Sequence, residues 1–145
     1  MNIAAQTDVG KQKSTNEDAV ETASFGSAYL LVVADGMGGH AAGDVASELA
    51  TTTISEAVSS AVEVGRSDYE DILAEAIASA NDAIVKEADE AAAQRSMGTT
   101  VVAAIIEDNE AVIANVGDSR AYSVSDILTQ ITVDQSFVQE LIDQG

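Results

Sequence analysis

The chain has 145 residues, 46% of them apolar, enough for one globular domain with an ordinary core. Its 25 acids against 6 bases leave a net charge of −19, which excludes nucleic acid and anionic membrane surfaces as expected partners, because like charges repel. With no cysteine there are no disulfides and no thiolate metal sites.

In chain order, "NIAAQTDVG" alternates weakly and predicts a strand. The segment "MNIAAQTDVG" has neither the basic flank nor the apolar core of a signal peptide, and no apolar run reaches about 18 residues, so the expected location is cytoplasmic. "AYLLVVAD" (28–35) is a nearly continuous apolar strand. A helix follows from Gly43-Asp44, with Val45, Leu49, Ile54, Val58 and Val62 about one turn apart, ending by Gly65. A second opens at "SDYE", where Ser67 and Glu70 have capping-box spacing, and carries Ile72, Leu73, Ala76, Ile77, Ala80 and Ile84 on one face. "GTTVVAAIIED" and "EAVIANVGDSRAYSV" are β runs joined by a turn at Asp108-Asn109, so the sheet is expected to be antiparallel. In "TVDQSFVQELIDQG" a last helix is expected, capped by Asp134 and ended by Gly145. No repeat or linker divides the chain, and residues 1–145 are expected to form a single domain.

Three acidic stretches carry the candidate chemistry. Asp35 ends a buried strand and is followed by Gly36, Gly38 and Gly39, so its carboxylate and the next backbone carbonyl stand on a rigid stem. That arrangement fits a hard-cation site, and it equally fits an ordinary turn after a strand. In "NEDA", Glu17 and Asp18 precede a β run, so adjacent side chains point to opposite faces and one of them can reach a cation while the other stands behind it. A solvated acidic loop is the alternative. In "GDSR", Asp118 lies at a junction between strands, and Arg120 is available to pair with it or with another acid. His40 is the only histidine, which leaves a zinc site unsupported.

Taken together and in order, "TDVGKQKSTNEDA", "VVADGMGGHAAGDVAS", "SMGTTVVAAII", "ANVGDSRAY" and "LTQITVDQSFVQELIDQG" closely resemble the PPM-type metal-dependent serine/threonine protein phosphatases, the type 2C class, in their compact microbial form. The resemblance implies an α+β fold, a four-layer α/β/β/α sandwich of two antiparallel sheets flanked by helices. It also implies Mn2+ or Mg2+, two or three per complete site, and a phosphorylated protein as substrate. Asp35 would bridge two metals and Gly36 would give its carbonyl. Glu17 and Asp18 would sit at the same centre, Asp18 with Asp35 in the catalytic group, and Asp118 would serve a third, weaker metal position. Asn16 and His40 would stand behind these ligands. Such cations lower the pKa of a water, supply hydroxide near neutral pH and neutralise the phosphate under attack.

Three departures accompany the resemblance. Lys13 stands where the family often has a phosphate-binding arginine, replacing a bidentate fork by a point charge. Met37 stands where animal members carry a candidate general-acid histidine. The family's catalytic domain continues for roughly a hundred residues more, within the usual size of one domain, and there supplies two further metal aspartates from "DG" and "DN" motifs. After Asp118 this chain has only Asp126, Asp134 and Asp143, none in such a motif. The sandwich is therefore expected to be incomplete on its C-terminal side, with sheet edges open to self-association that salt would promote by screening. The expected function is a metal-dependent phosphoserine/phosphothreonine phosphatase acting in signalling. The alternative is a non-catalytic, phosphatase-like module that binds metal or protein.

Overall fold

The structure is a computed structural model that describes residues 1–38, 42–90 and 96–135. Strand β1 (Asp18–Phe25) and strand β2 (Ala28–Met37) form a hairpin, followed by helices α1 (Gly43–Glu63) and α2 (Tyr69–Glu90). Then come β3 (Gly98–Thr99), β4 (Val101–Glu107), β5 (Glu110–Val116), β6 (Tyr122–Val124) and β7 (Leu128–Gln130). The main sheet is antiparallel in the order β1-β2-β4-β5, with β3 also paired to β2, and β6-β7 is a separate two-stranded ribbon.

Alternation along the strands gives the main sheet two unlike faces. In β2, Ala28, Leu30, Val32 and Ala34 are buried beneath the helices, while Leu31 is half-buried and Val33 and Asp35 are exposed on the other side. In β4, Val101, Ala103 and Ile105 take the helix side. The β4–β5 turn falls at Asp108-Asn109 as expected, with Asp108 at φ 53°, a left-handed conformation that Asp tolerates better than most residues.

The helices supply small residues at four-residue intervals. Ala46, Ala50, Ile54 and Val58 of α1 are buried, as are Ile72, Leu73, Ala76 and Ala80 of α2. This corrects the expected α1 stripe: Val45, Leu49 and Val62 are only half-buried, and alanines hold the centre. The reason is steric, since α1 touches both α2 and the β1–β2 hairpin and only small side chains allow two close neighbours. Ile54 has no exposure, so Ile54→Ala is expected to cost about 2–5 kcal/mol, measurable by denaturant unfolding.

Three other expectations change. Residues 1–17 form no strand and are almost wholly exposed, because the weak alternation of "NIAAQTDVG" finds no sheet partner among the described residues. The β run after the turn breaks at 117–121, where Gly117 takes φ 96°. No hydrogen bond joins Ser67 to Glu70 among the described residues; Asp68 directly precedes α2, its carbonyl accepts from Ile72 N–H, and Arg66 bonds its carboxylate at 2.5 and 3.0 Å. The helix expected after Asp134 lies outside the described residues, as does His40. No helix among the described residues is long and apolar enough to cross a membrane.

Candidate active site

The site forms where β1 and β2 run out toward α1. In the antiparallel register Asp18 is directly opposite Asp35, so both side chains leave the same face, the one away from the helices. Glu17 takes the opposite direction: its Oε2 accepts from Lys13 Nζ at 2.5 Å, and its Oε1 lies over Gly43 at the start of α1. The two adjacent acids of "NEDA" are thus divided between two surroundings, as alternation requires. Lys13 is spent on Glu17, which raises its pKa through the shared hydrogen bond and charge. Asn16 Oδ1 accepts from Asp18 N–H at 3.2 Å and its amide donates to Thr7 Oγ1 at 2.7 Å, which fixes the chain entering β1.

Backbone contact holds Asp35 in place. Gly36 N–H donates to the Glu17 carbonyl at 3.0 Å, and Gly36 and Gly43 meet backbone to backbone. A side chain at Gly36 would collide with the Gly43 carbonyl and come to 2.5 Å from the Glu17 carbonyl oxygen. This close approach brings the N-terminus of α1, with its partial positive charge, beside the acids.

Electrostatically the centre is under-neutralised. Asp35's carboxyl is pushed above the ordinary carboxylate range, first by desolvation, then by the Asp18 charge and a hydrogen bond with Asp18, with Asp118 adding to the shift and Lys13 opposing it. Like charges directly opposite on a sheet are destabilising. Asp118 belongs to this group at electrostatic range. No three His, Cys, Asp or Glu side chains converge as a metal cage among the described residues. What stands here is a carboxylate pair with a third acid nearby.

The loop carrying Asp118 is held from two sides. Arg120 grips Asp134 through two hydrogen bonds of 2.8 and 2.6 Å, and the Asn115 amide and Gln135 N–H both donate to the Gly117 carbonyl. Arg120 therefore pairs with Asp134 and not with Asp118. The pair lowers the Asp134 pKa, so its stabilisation is complete above about pH 4, the ordinary Asp value, and is lost as pH falls through the lowered value. Arg120→Ala is expected to lower the melting temperature at pH 6, with the difference from wild type vanishing at strongly acidic pH; melts across a pH series check it.

Two groups that the sequence did not single out complete the site. Thr100 Oγ1 accepts from Asp35 N–H at 3.1 Å, and Thr100 N–H donates to the Asp35 carbonyl at 2.9 Å. The Thr100 and Ser119 hydroxyls share a hydrogen bond of 2.6 Å. Their signal was available in the hydroxyls of "GTTVV" and "GDSR", each beside a glycine. Beyond Asp18 and Asp35, a groove of about 700 Å³ continues over the open sheet face, past Leu31, Val33, Val102 and Ile113, to Arg120 and Tyr122.

The Protein phosphatase 2C family profile matches residues 6–138, and the chain belongs to that family. It is 40% identical to the serine/threonine phosphatase stp of Listeria innocua, over all of this chain and 59% of that protein. It is 39% identical to the serine/threonine protein phosphatase PstP of Mycobacterium tuberculosis, over all of this chain and 27% of that protein. Among solved structures, the Mycobacterium tuberculosis phosphatase PstP/Ppp superposes with a TM-score of 0.84 at 38% identity, covering 97% of this chain and 57% of that one. The PstP catalytic domain in complex with two manganese ions gives a TM-score of 0.82 at 36% identity, covering 97% and 59%. The chain thus spans little more than half the length of the Listeria relative.

Proposed function

We propose that this chain carries the Asp18–Asp35 portion of a metal-dependent protein serine/threonine phosphatase centre, acting on phosphorylated proteins. The observation that supports this most is the placement of two carboxylates directly opposite each other on the open face, with Asp118 near and Lys13 only partly offsetting their charge. A carboxylate pair in which burial and the Asp18 charge raise the cost of ionising Asp35 is relieved by a bound cation, which makes it a suitable oxygen donor set for Mn2+ or Mg2+. The glycine cradle at Gly36 adds a close-packed backbone that holds the pair still.

Asp35 and Asp18 would be the principal metal ligands, with the Gly36 carbonyl and Asp118 as further donors. Two such cations, when bound, acidify water and neutralise phosphate charge. Glu17 orients Lys13 through their ion pair, and the exposed Lys13 side chain would meet an incoming phosphate monoester only by sharing its charge with Glu17. Asn16 holds the Asp18 backbone from behind. His40 is assigned a place behind the ligands on the resemblance alone.

The test is Mn2+-dependent hydrolysis of p-nitrophenyl phosphate and of a phosphoserine peptide, by this chain and by one extended to the length of the relatives. The extended chain is expected to turn over both and the 145-residue chain to be far slower. No metal-dependent hydrolysis at either length would contradict the proposal. The second reading is a phosphatase-like module that binds metal or protein without hydrolysis; for these 145 residues it is supported by a site that holds the Asp18–Asp35 pair and, among the described residues, no three-acid cage.

A further inference from the structure

Thr100 is 7% exposed, and it is bonded to both backbone polar groups of Asp35 and to the loop that carries Asp118. We infer that Thr100, tethered by Ser119, is a positioning residue that sets the metal affinity of the centre by fixing Asp35 and the Asp118 loop to each other. The inference rests on the metal reading of Asp35 given above.

The geometry leaves the hydroxyl little freedom. Asp35 N–H occupies one acceptor site of Thr100 Oγ1, and the bond shared with Ser119 Oγ takes up a second of its three hydrogen-bonding sites. The Thr100 methyl packs where a side chain at Gly117 would come to 2.8 Å from Thr100 Cγ2, so the left-handed Gly117 bend can close onto Thr100 only because glycine is there. Threonine thus contributes two separable things, a hydroxyl that bonds Asp35 and Ser119, and a methyl that fills the space under Gly117. Groups that hold a ligand in place from behind typically change metal affinity by 10–100-fold when removed.

The separation supplies the test. Mn2+ alone is titrated calorimetrically into the 145-residue wild type, Thr100→Val, Thr100→Ser and Asp35→Asn, each checked for folding by circular dichroism. Thr100→Val keeps the shape and loses the hydroxyl, and about a 10-fold weaker Mn2+ affinity is expected. Thr100→Ser keeps the hydroxyl and loses the methyl, and near-wild-type affinity is expected. Wild-type affinity in Thr100→Val, or an equal or larger loss in Thr100→Ser, would overturn the inference and leave Thr100 a packing residue. If Thr100→Val does not fold, Ser119→Ala decides: weakened affinity supports the tether, and unchanged affinity overturns it. Asp35→Asn separates the two levels, since undiminished binding there would remove the metal reading itself, whereas loss in Asp35→Asn with none in Thr100→Val removes only the positioning role.

Discussion

Gly36→Ala is expected to lower stability by about 3 kcal/mol or more, a fall of roughly 10 °C in melting temperature for a chain of this size. The added methyl has no flexible neighbour to displace, because both of its close partners, the carbonyl groups of Gly43 and Glu17, are backbone. Relief would need α1 to lift away from β2, and α1 is a principal cover of the core. Thermal unfolding followed by circular dichroism reads the effect directly. An unchanged melting temperature would mean that the α1 terminus is not docked on the Asp35–Gly36 stretch of β2, and the geometry of the site would have to be redrawn.

Asp35→Asn is expected to act in two opposite directions. In a chain extended to the relatives' length, Mn2+-dependent phosphatase activity should fall by more than about 100-fold, beyond what loss of a supporting group costs, because the side chain loses its charge at the centre of the donor set. In the metal-free chain the same change should stabilise, by about 0.2–1 kcal/mol, since it removes one of two like charges directly opposite on the sheet. A stabilising substitution that destroys activity is the signature of a residue retained for function against its structural cost. Asp35→Asn that destabilised the metal-free chain would assign Asp35 a structural role instead.

Much of the site could be read from the sequence because its parts are local. "VVADG" states a buried strand, an acid and a glycine that lets backbone approach; the structure has them in that order, except that the strand continues past Asp35 to Met37, where β3 pairs with it. "NEDA" was legible up to the choice between its acids; register makes that choice, setting Asp18 opposite Asp35 and turning Glu17 toward Lys13 and Gly43. Register is a property of two strands, so one strand's sequence could not contain it.

What escaped the sequence was long-range or ambiguous in kind. Arg120 finds Asp134 fourteen positions later, across the β6–β7 ribbon, a choice that the sequence left open between Asp118 and another acid. Thr100 reads as one more β-branched residue in a strand until its hydroxyl is seen between Asp35 and Ser119. Alanine is equally at home on a buried or an exposed helix face, so the Ala46–Ala50 stripe of α1 was hidden behind the larger Val45 and Leu49. The strand expected in "NIAAQTDVG" (2–10) failed for a related reason: alternation marks a face, and a face needs a partner.

On the proposed reading, Asp18 and Asp35 form a specific cation site in a chain whose 25 acids could bind cations diffusely. Paramagnetic broadening of amide signals during a Mn2+ titration of 15N-labelled protein tests it most directly. The amides of Asp18, Asp35, Gly36 and Asp118 are expected to broaden first, well before those of the acidic surface of α2, and Asp35→Asn is expected to remove this early phase. Broadening that begins on α2, or spreads evenly over the acidic surface from the first addition, would contradict it.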